Sequence, residues 1–139
     1  MGGRGKSQPT TTGFTWYDYH AVYKYKDIHF LAMNDVTAPV SPPVMSQTST
    51  VTYVTFDKDG KTLKHISVYK DRIKLYDIDL TMKHKDIGVP HVHECNPKTG
   101  YRLSSKIRGS VHNPTKEQYK KIGSVNRIFK KHKKEILGI

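Results

Sequence analysis

The segment that most restricts the fold is residues 51–80, where three alternating runs are separated by tight turn signals. VTYVTF (51–56) leads into Asp57, Lys58, Asp59 and Gly60, LKHISVY (63–69) into Lys70, Asp71 and Arg72, and IKLYDIDL (73–80) closes the series. β-Branched and aromatic residues dominate each run, and Asp-Gly supplies the positive φ that a tight hairpin demands. The segment therefore predicts a three-stranded antiparallel meander. In its third strand, alternation sends Ile73, Leu75, Asp77 and Asp79 to one face and Lys74, Tyr76, Ile78 and Leu80 to the other.

The flanks extend this sheet. FTWYDYHAVYKY (14–25) is rich enough in aromatics to favour a strand, and IHFLAM (28–33) reads as a second, short one. Residues 34–50 carry Pro39, Pro42, Pro43 and a Ser/Thr-rich flank, and are predicted as a loop. Residues 91–103 predict a further hairpin around an Asn96-Pro97-Lys98-Thr99-Gly100 turn, and residues 104–112 an exposed basic loop. The first 13 residues hold glycines, a proline and a Ser/Thr cluster with almost nothing apolar, so they are expected to form a flexible arm. Residues 14–139 then make one domain, as expected for a chain of 139 residues.

A helix is predicted to close the chain. Asn113, Pro114 and Thr115 followed by Gln118 give a start signal with a capping box, and Tyr119, Ile122, Val125, Phe129 and Ile136 recur at helical spacing. Gly123 is the position at which this helix is expected to bend. The resulting expectation is an α+β domain, an antiparallel meander sheet of about four to six strands with one basic amphipathic helix packed across it.

Charge narrows the partner class. The chain carries a formal net charge of +12, and residues 1–50 contribute almost none of it, with four cations against Asp18, Asp27 and Asp35. The helix holds Lys116, Lys120, Lys121, Arg127, Lys130, Lys131, Lys133 and Lys134 against Glu117 and Glu135. So one-sided a surplus exceeds what solubility or the helix dipole requires, and these eight residues are the expected nucleic-acid contacts. Cys95 is the single cysteine, which excludes an intramolecular disulfide and a cysteine-based zinc cluster. It reads as a buried small side chain rather than a nucleophile. No run of about 18 apolar residues marks a membrane span, and no secretory signal opens the chain, so a cytoplasmic protein without a membrane partner is expected.

The densest titratable stretch is GVPHVHE, residues 88–94. On a strand, His91 and His93 share a face and Val92 takes the other. Two chemistries fit. Metal-independent RNA cleavage needs a proton acceptor, a proton donor and a cation at the phosphorane, and histidines with a nearby arginine or lysine supply these near neutral pH. His91 and His93 are the acid/base candidates, with His84, His112, Lys85 and Arg102 around them and Asp79 orienting an imidazole. Alternatively His-x-His donates two ligands to a metal, with His84, Asp79 or Glu94 as the third. The preferred reading assigns the catalytic set His84, His91, His93, Asp79 and Arg102, with no metal and no cofactor. The plain alternative is a histidine pair that only caps a strand.

Residues 76–100, in which Tyr-Asp-Ile-Asp-Leu-Thr is followed by His84, then Gly-Val-Pro-His-Val-His-Glu and Asn-Pro-Lys-Thr-Gly, resemble small C-terminal domains of bacterial polymorphic toxins and prophage-encoded proteins. The arm Gly2-Gly3-Arg4-Gly5 is similar to the starts of prophage proteins. The resemblance implies a mobile-element protein with His84, His91 and His93 as its motif histidines, in a group where many domains are nucleases. The expected partners are nucleic acid, RNA rather than DNA, and a host or immunity protein. A noncatalytic protein that binds nucleic acid or occludes a host protein is the competing expectation.

Overall fold

The computed structural model describes residues 19–34, 42–84 and 86–139. The expected arm at 1–13, the first residues of the aromatic run and Lys85 lie outside these residues. Seven strands lie side by side in chain order: β1 (Tyr19–Tyr25), β2 (Ile28–Met33), β3 (Thr50–Phe56), β4 (Leu63–Lys70), β5 (Ile73–Asp79), β6 (His91–Glu94) and β7 (Val111–His112). The α+β class holds, with more strands than the expected four to six. The surplus includes β7, two residues of the predicted exposed loop that pair with β6 through Val92↔His112 and His93↔Val111.

The meander is interrupted once. β2 and β3 run parallel, whereas every other neighbouring pair is antiparallel. A parallel step needs a long return, here residues 34–49, and residues 35–41 of the predicted loop lie outside the described residues. The central hairpin forms as expected. Gly60 adopts φ +70° in its turn, while Asp71 and Arg72 both take positive φ between β4 and β5. Positive φ at two successive residues matches the right-handed twist of the flanking strands. The turn is pinned from outside, because Ser46 N–H donates to the Arg72 carbonyl and Arg72 Nε donates to the Ser46 carbonyl.

The two faces of the sheet are occupied differently. On one, Phe30, Val54, Ile66, Ile78 and Val92 meet Val125 and Ile136 from α1 (Lys116–Lys131) and α2 (Lys133–Leu137). The helical segment opens on the predicted capping box, with the Thr115 and Gln118 side chains each serving the other's backbone N–H. It is interrupted at His132, while Gly123 lies within the continuous α1. Tyr119 also departs from the expected stripe, being 52% exposed, while Gln118 is buried. The side chain of Gln118 serves the cap at Thr115, so a polar residue takes the place a hydrophobic pattern would have given to its neighbour.

On the other face a small aromatic cluster of Tyr19, Leu31, Val51, Tyr53 and Tyr69 occupies the end near β1–β3. Residues 42–47 lie against it, since Tyr69 Oη donates to the Pro43 carbonyl and Gln47 N–H donates to Tyr53 Oη. The turn before Tyr101 also meets this segment. Gly100 has φ +79°, and a Cβ built on it would stand well inside van der Waals contact with the Val44 carbonyl oxygen. Gly100→Ala combines a disfavoured backbone with a backbone clash. It is expected to destabilise the fold by about 1–3 kcal/mol, read as a drop in thermal midpoint, whereas Lys98→Ala on the same turn should leave the midpoint unchanged.

Candidate functional site

The remainder of that second face is polar and buried. Register explains which side chains meet there: His65, Asp79 and His91 sit opposite one another across β4, β5 and β6, and Ser67, Asp77 and His93 form the next row. The residues between these rows, Ile66, Ile78 and Val92, point to the helix-covered face. The period-two pattern read from the sequence thus delivers the predicted Asp79, His91 and His93 to one surface.

Asp77, with no exposed surface, anchors the cluster. Lys74 Nζ lies 3.0 Å and Arg102 Nε 2.9 Å from its Oδ2, and Ser67 Oγ donates to Oδ1. Burial alone would push this carboxyl up, but the two cations and the hydroxyl outweigh it and hold the group well below the usual carboxylate range. Strict alternation places Lys74 on the opposite face. A bulge between Val68 and Tyr69 shifts the register so that Lys74 pairs with Tyr69, which corrects that expectation and brings the ammonium to Asp77.

Asp79 is fixed at the strand end. Its Oδ1 accepts from the Thr81 and Met82 backbone N–H groups, each at 3.0 Å, and Lys64 Nζ stands 3.8 Å away. Its carboxyl is also held well below the ordinary range, burial being overcome by His65 and these amides. His65 Nε2 stands between Arg102 Nη2 at 3.3 Å and Asp79 Oδ2 at 3.5 Å. Burial lowers the pKa of the His65 imidazole despite the two nearby aspartates.

His91 and His93 meet at their Nε2 atoms, 3.0 Å apart. His91 Nδ1 lies 3.2 Å from the Gly88 carbonyl, which can only accept, so the proton sits on Nδ1 and the Nε2 lone pair faces His93. Both imidazoles have lowered pKa values. For His91 burial leads, opposed by Asp79; for His93 burial, Arg102 and His91 bring it to about 4. The third motif histidine joins them, the His84 ring centroid standing 5.9 Å from that of His91 and 5.5 Å from that of His93. Ligand atoms of Asp79, His91 and His93 all lie within 4.8 Å of one another.

A cavity of about 260 Å³ opens beside His84, walled by Asp86, Lys106, Arg108 and Ser110. The predicted loop 104–112 thus contributes two cations next to the cluster. All five residues of the predicted catalytic set, His84, His91, His93, Asp79 and Arg102, lie together on this face or at its edge. His112 does not. It points with Glu94 to the other face, its Nε2 2.7 Å from Glu94 Oε2 and its Nδ1 2.6 Å from the Asn113 carbonyl. Facing an acceptor at both nitrogens raises its pKa, although burial works against this. The same geometry removes Glu94 as a third metal ligand. Cys95 is buried and its thiol is pushed up to about 12, first by burial and then by Asp77, which fits an inert side chain.

Sequence reasoning missed His65, Ser67 and Lys74. His65 and Ser67 lie in the plainly alternating run of β4, and pairing that strand with β5 in antiparallel register would have found them. Lys74 depended on the bulge, for which the sequence carries no signal. The eight basic residues of the helix lie on the far side of the sheet from the histidines, so the two groups form separate surfaces.

No family model, curated protein or solved structure matches this chain. Among the described residues no helix is long and apolar enough to cross a membrane.

Proposed function

We propose that this chain is a nucleic-acid-directed protein that cleaves RNA at the His91–His93 pair. The observation that carries the reading is the 3.0 Å approach of the two Nε2 atoms, on a face that also holds Arg102 and opens at His84 into a cation-walled cavity. In such a reaction the attacking 2′-hydroxyl loses its proton at the histidine pair and its oxygen bonds to phosphorus. The bond from phosphorus to the 5′-oxygen breaks, and His84 at the cavity mouth is within reach to hand that oxygen a proton. Arg102 is the charged neighbour that acts most strongly on His93, and its side chain is 37% exposed, so it can lie beside the phosphorane. Lys106 and Arg108 would receive the flanking phosphates.

The need for a 2′-hydroxyl nucleophile is the reason for RNA over DNA. The resemblance of residues 76–100 to toxin and prophage domains supports the same reading, with a cytoplasmic substrate and a host or immunity protein as the other partner. The test is incubation of purified protein with matched RNA and DNA strands. Cut RNA, intact DNA and loss of cutting in His91→Ala and His93→Ala are expected; equal cutting by these variants contradicts the assignment.

A second reading has its own observation. Lys116, Lys120, Arg127, Lys130, Lys131, Lys133 and Lys134 are exposed on the helices, while Lys121 is half-buried with Nζ 3.4 Å from Thr52 Oγ1. On this reading the helices grip a polyanion and nothing is cut. Neutralising Lys130, Lys131, Lys133 and Lys134 is expected to abolish gel retardation of RNA. Replacing them one at a time should flatten its salt dependence, by about 0.7 in log–log slope for each single-strand phosphate that the helices no longer neutralise. Retardation indifferent to salt and to these lysines would sink it.

A further inference from the structure

We propose that Asp79, His91 and His93 form a site for one divalent transition-metal ion of the zinc or cobalt type. This rests on the reading of the face as the functional site; with the ion bound both Nε2 lone pairs are engaged, so the pair then serves as ligands in place of proton acceptor.

The Gly88 carbonyl fixes the His91 proton on Nδ1, so Nε2 is free to donate its pair inward. Anchoring the far nitrogen of an imidazole on a carbonyl is the usual support for a metal-binding histidine, since it sets both tautomer and ring orientation. His93 brings a second Nε2 to within 3.0 Å, which presents a lone pair to an ion once its proton moves to Nδ1. Nitrogens bound tetrahedrally to zinc at about 2.0–2.1 Å would stand about 3.3 Å apart, so the pair needs to open only slightly to admit an ion.

The third donor comes from the adjacent strand. Asp79 is the register partner of His91, and its ligand oxygen lies within 4.8 Å of both histidine nitrogens. Two backbone amides hold Oδ1, and Oδ2 stands 3.5 Å from His65 Nε2. Three donors from two paired strands sit on a rigid frame, which lowers the cost of assembling a site. Lys64 and Arg102 are the unfavourable neighbours. Asp77 at 2.9 Å offsets Arg102, while Lys64 donates to Thr81 Oγ1 at 2.8 Å and stands 3.8 Å from Asp79 Oδ1, so the ion would share the Asp79 carboxylate with that ammonium.

Two imidazoles and one carboxylate suit zinc or cobalt rather than magnesium or calcium, which favour all-oxygen sets. His84 is the next imidazole, its ring 5.5 Å from that of His93 and 5.9 Å from that of His91. An ion with three protein ligands keeps a position for water or for a phosphoryl oxygen.

The experiment uses the untagged full chain, stripped with EDTA, desalted and titrated with Zn²⁺ by calorimetry and with Co²⁺ by visible absorption. One equivalent of each is expected, with the Co²⁺ bands typical of tetrahedral coordination. His93→Ala should lose saturable binding, the near-isosteric Asp79→Asn should bind at least tenfold more weakly, and His112→Gln should bind as the parent does. Circular dichroism establishes that each variant is folded. Absence of one-to-one binding in the parent, or equal binding in folded His93→Ala and Asp79→Asn, overturns the proposal. An RNA assay in parallel separates the two claims. Metal binding without cleavage leaves the ion site standing and removes the cleavage reading, whereas cleavage undiminished in EDTA with no binding removes the ion alone.

Discussion

Asp77→Ala is expected to lower folding stability by about 3–5 kcal/mol, a large share of the roughly 5–15 kcal/mol that holds a domain of this size together. The carboxylate has no exposed surface, and it faces Lys74, itself only 3% exposed, and Arg102. Removing it strands the Lys74 ammonium in the interior with no counter-charge, a penalty set by desolvation rather than by the missing attraction. Lys74→Met should cost less, because Arg102 still neutralises Asp77 in that variant. Urea denaturation of the parent and both variants checks the order. If Asp77→Ala and Lys74→Met shift the midpoint equally, the ion pairs around Asp77 do not anchor this face.

His93→Ala is expected to reduce RNA cleavage by about 10²–10⁴-fold, the range in which a positioned proton-transfer or ligand group contributes. The magnitude follows from the geometry of the pair. His91 Nε2 has His93 Nε2 as its only hydrogen-bond partner among the described residues, so truncating either ring removes the arrangement rather than one member of it. Effects of His91→Ala and His93→Ala should therefore not multiply. The double variant is expected to fall no further than the less active single one. His112→Ala serves as the control, since its imidazole lies on the opposite face with Glu94 and should change the rate by less than about twofold. Single-turnover kinetics on a labelled RNA measure all four rates, and multiplying effects in the double variant would contradict a joint role.

Much of this site was legible because sheets obey a period of two. The run 73–80 with alternating residues, and His-x-His two positions apart, were enough to predict that Asp77 and Asp79 share a face and that His91 and His93 share one. The antiparallel register of β5 and β6 then makes these the same surface, with Asp79 opposite His91. The capping box at Thr115 was legible for a similar reason, its chemistry being confined to four consecutive residues. What escaped depends on segments distant in sequence. The bulge that swings Lys74 to Asp77, the parallel step between β2 and β3 and the pairing of β7 are set by how those segments meet. The basic helix lies apart from the histidines, since Val92 between His91 and His93 packs in one core cluster with Val125, so the sheet itself separates the two groups.

The central claim is that the polar face of β4–β6 cuts RNA, and the most direct measurement is the fate of an end-labelled RNA incubated at neutral pH with purified, untagged protein supplemented with Zn²⁺. Discrete shortened products that appear with the parent protein and not with His91→Ala of equal thermal midpoint are the predicted result. RNA that stays intact while the folded protein visibly retards it would contradict the claim and leave the helices as the contact surface.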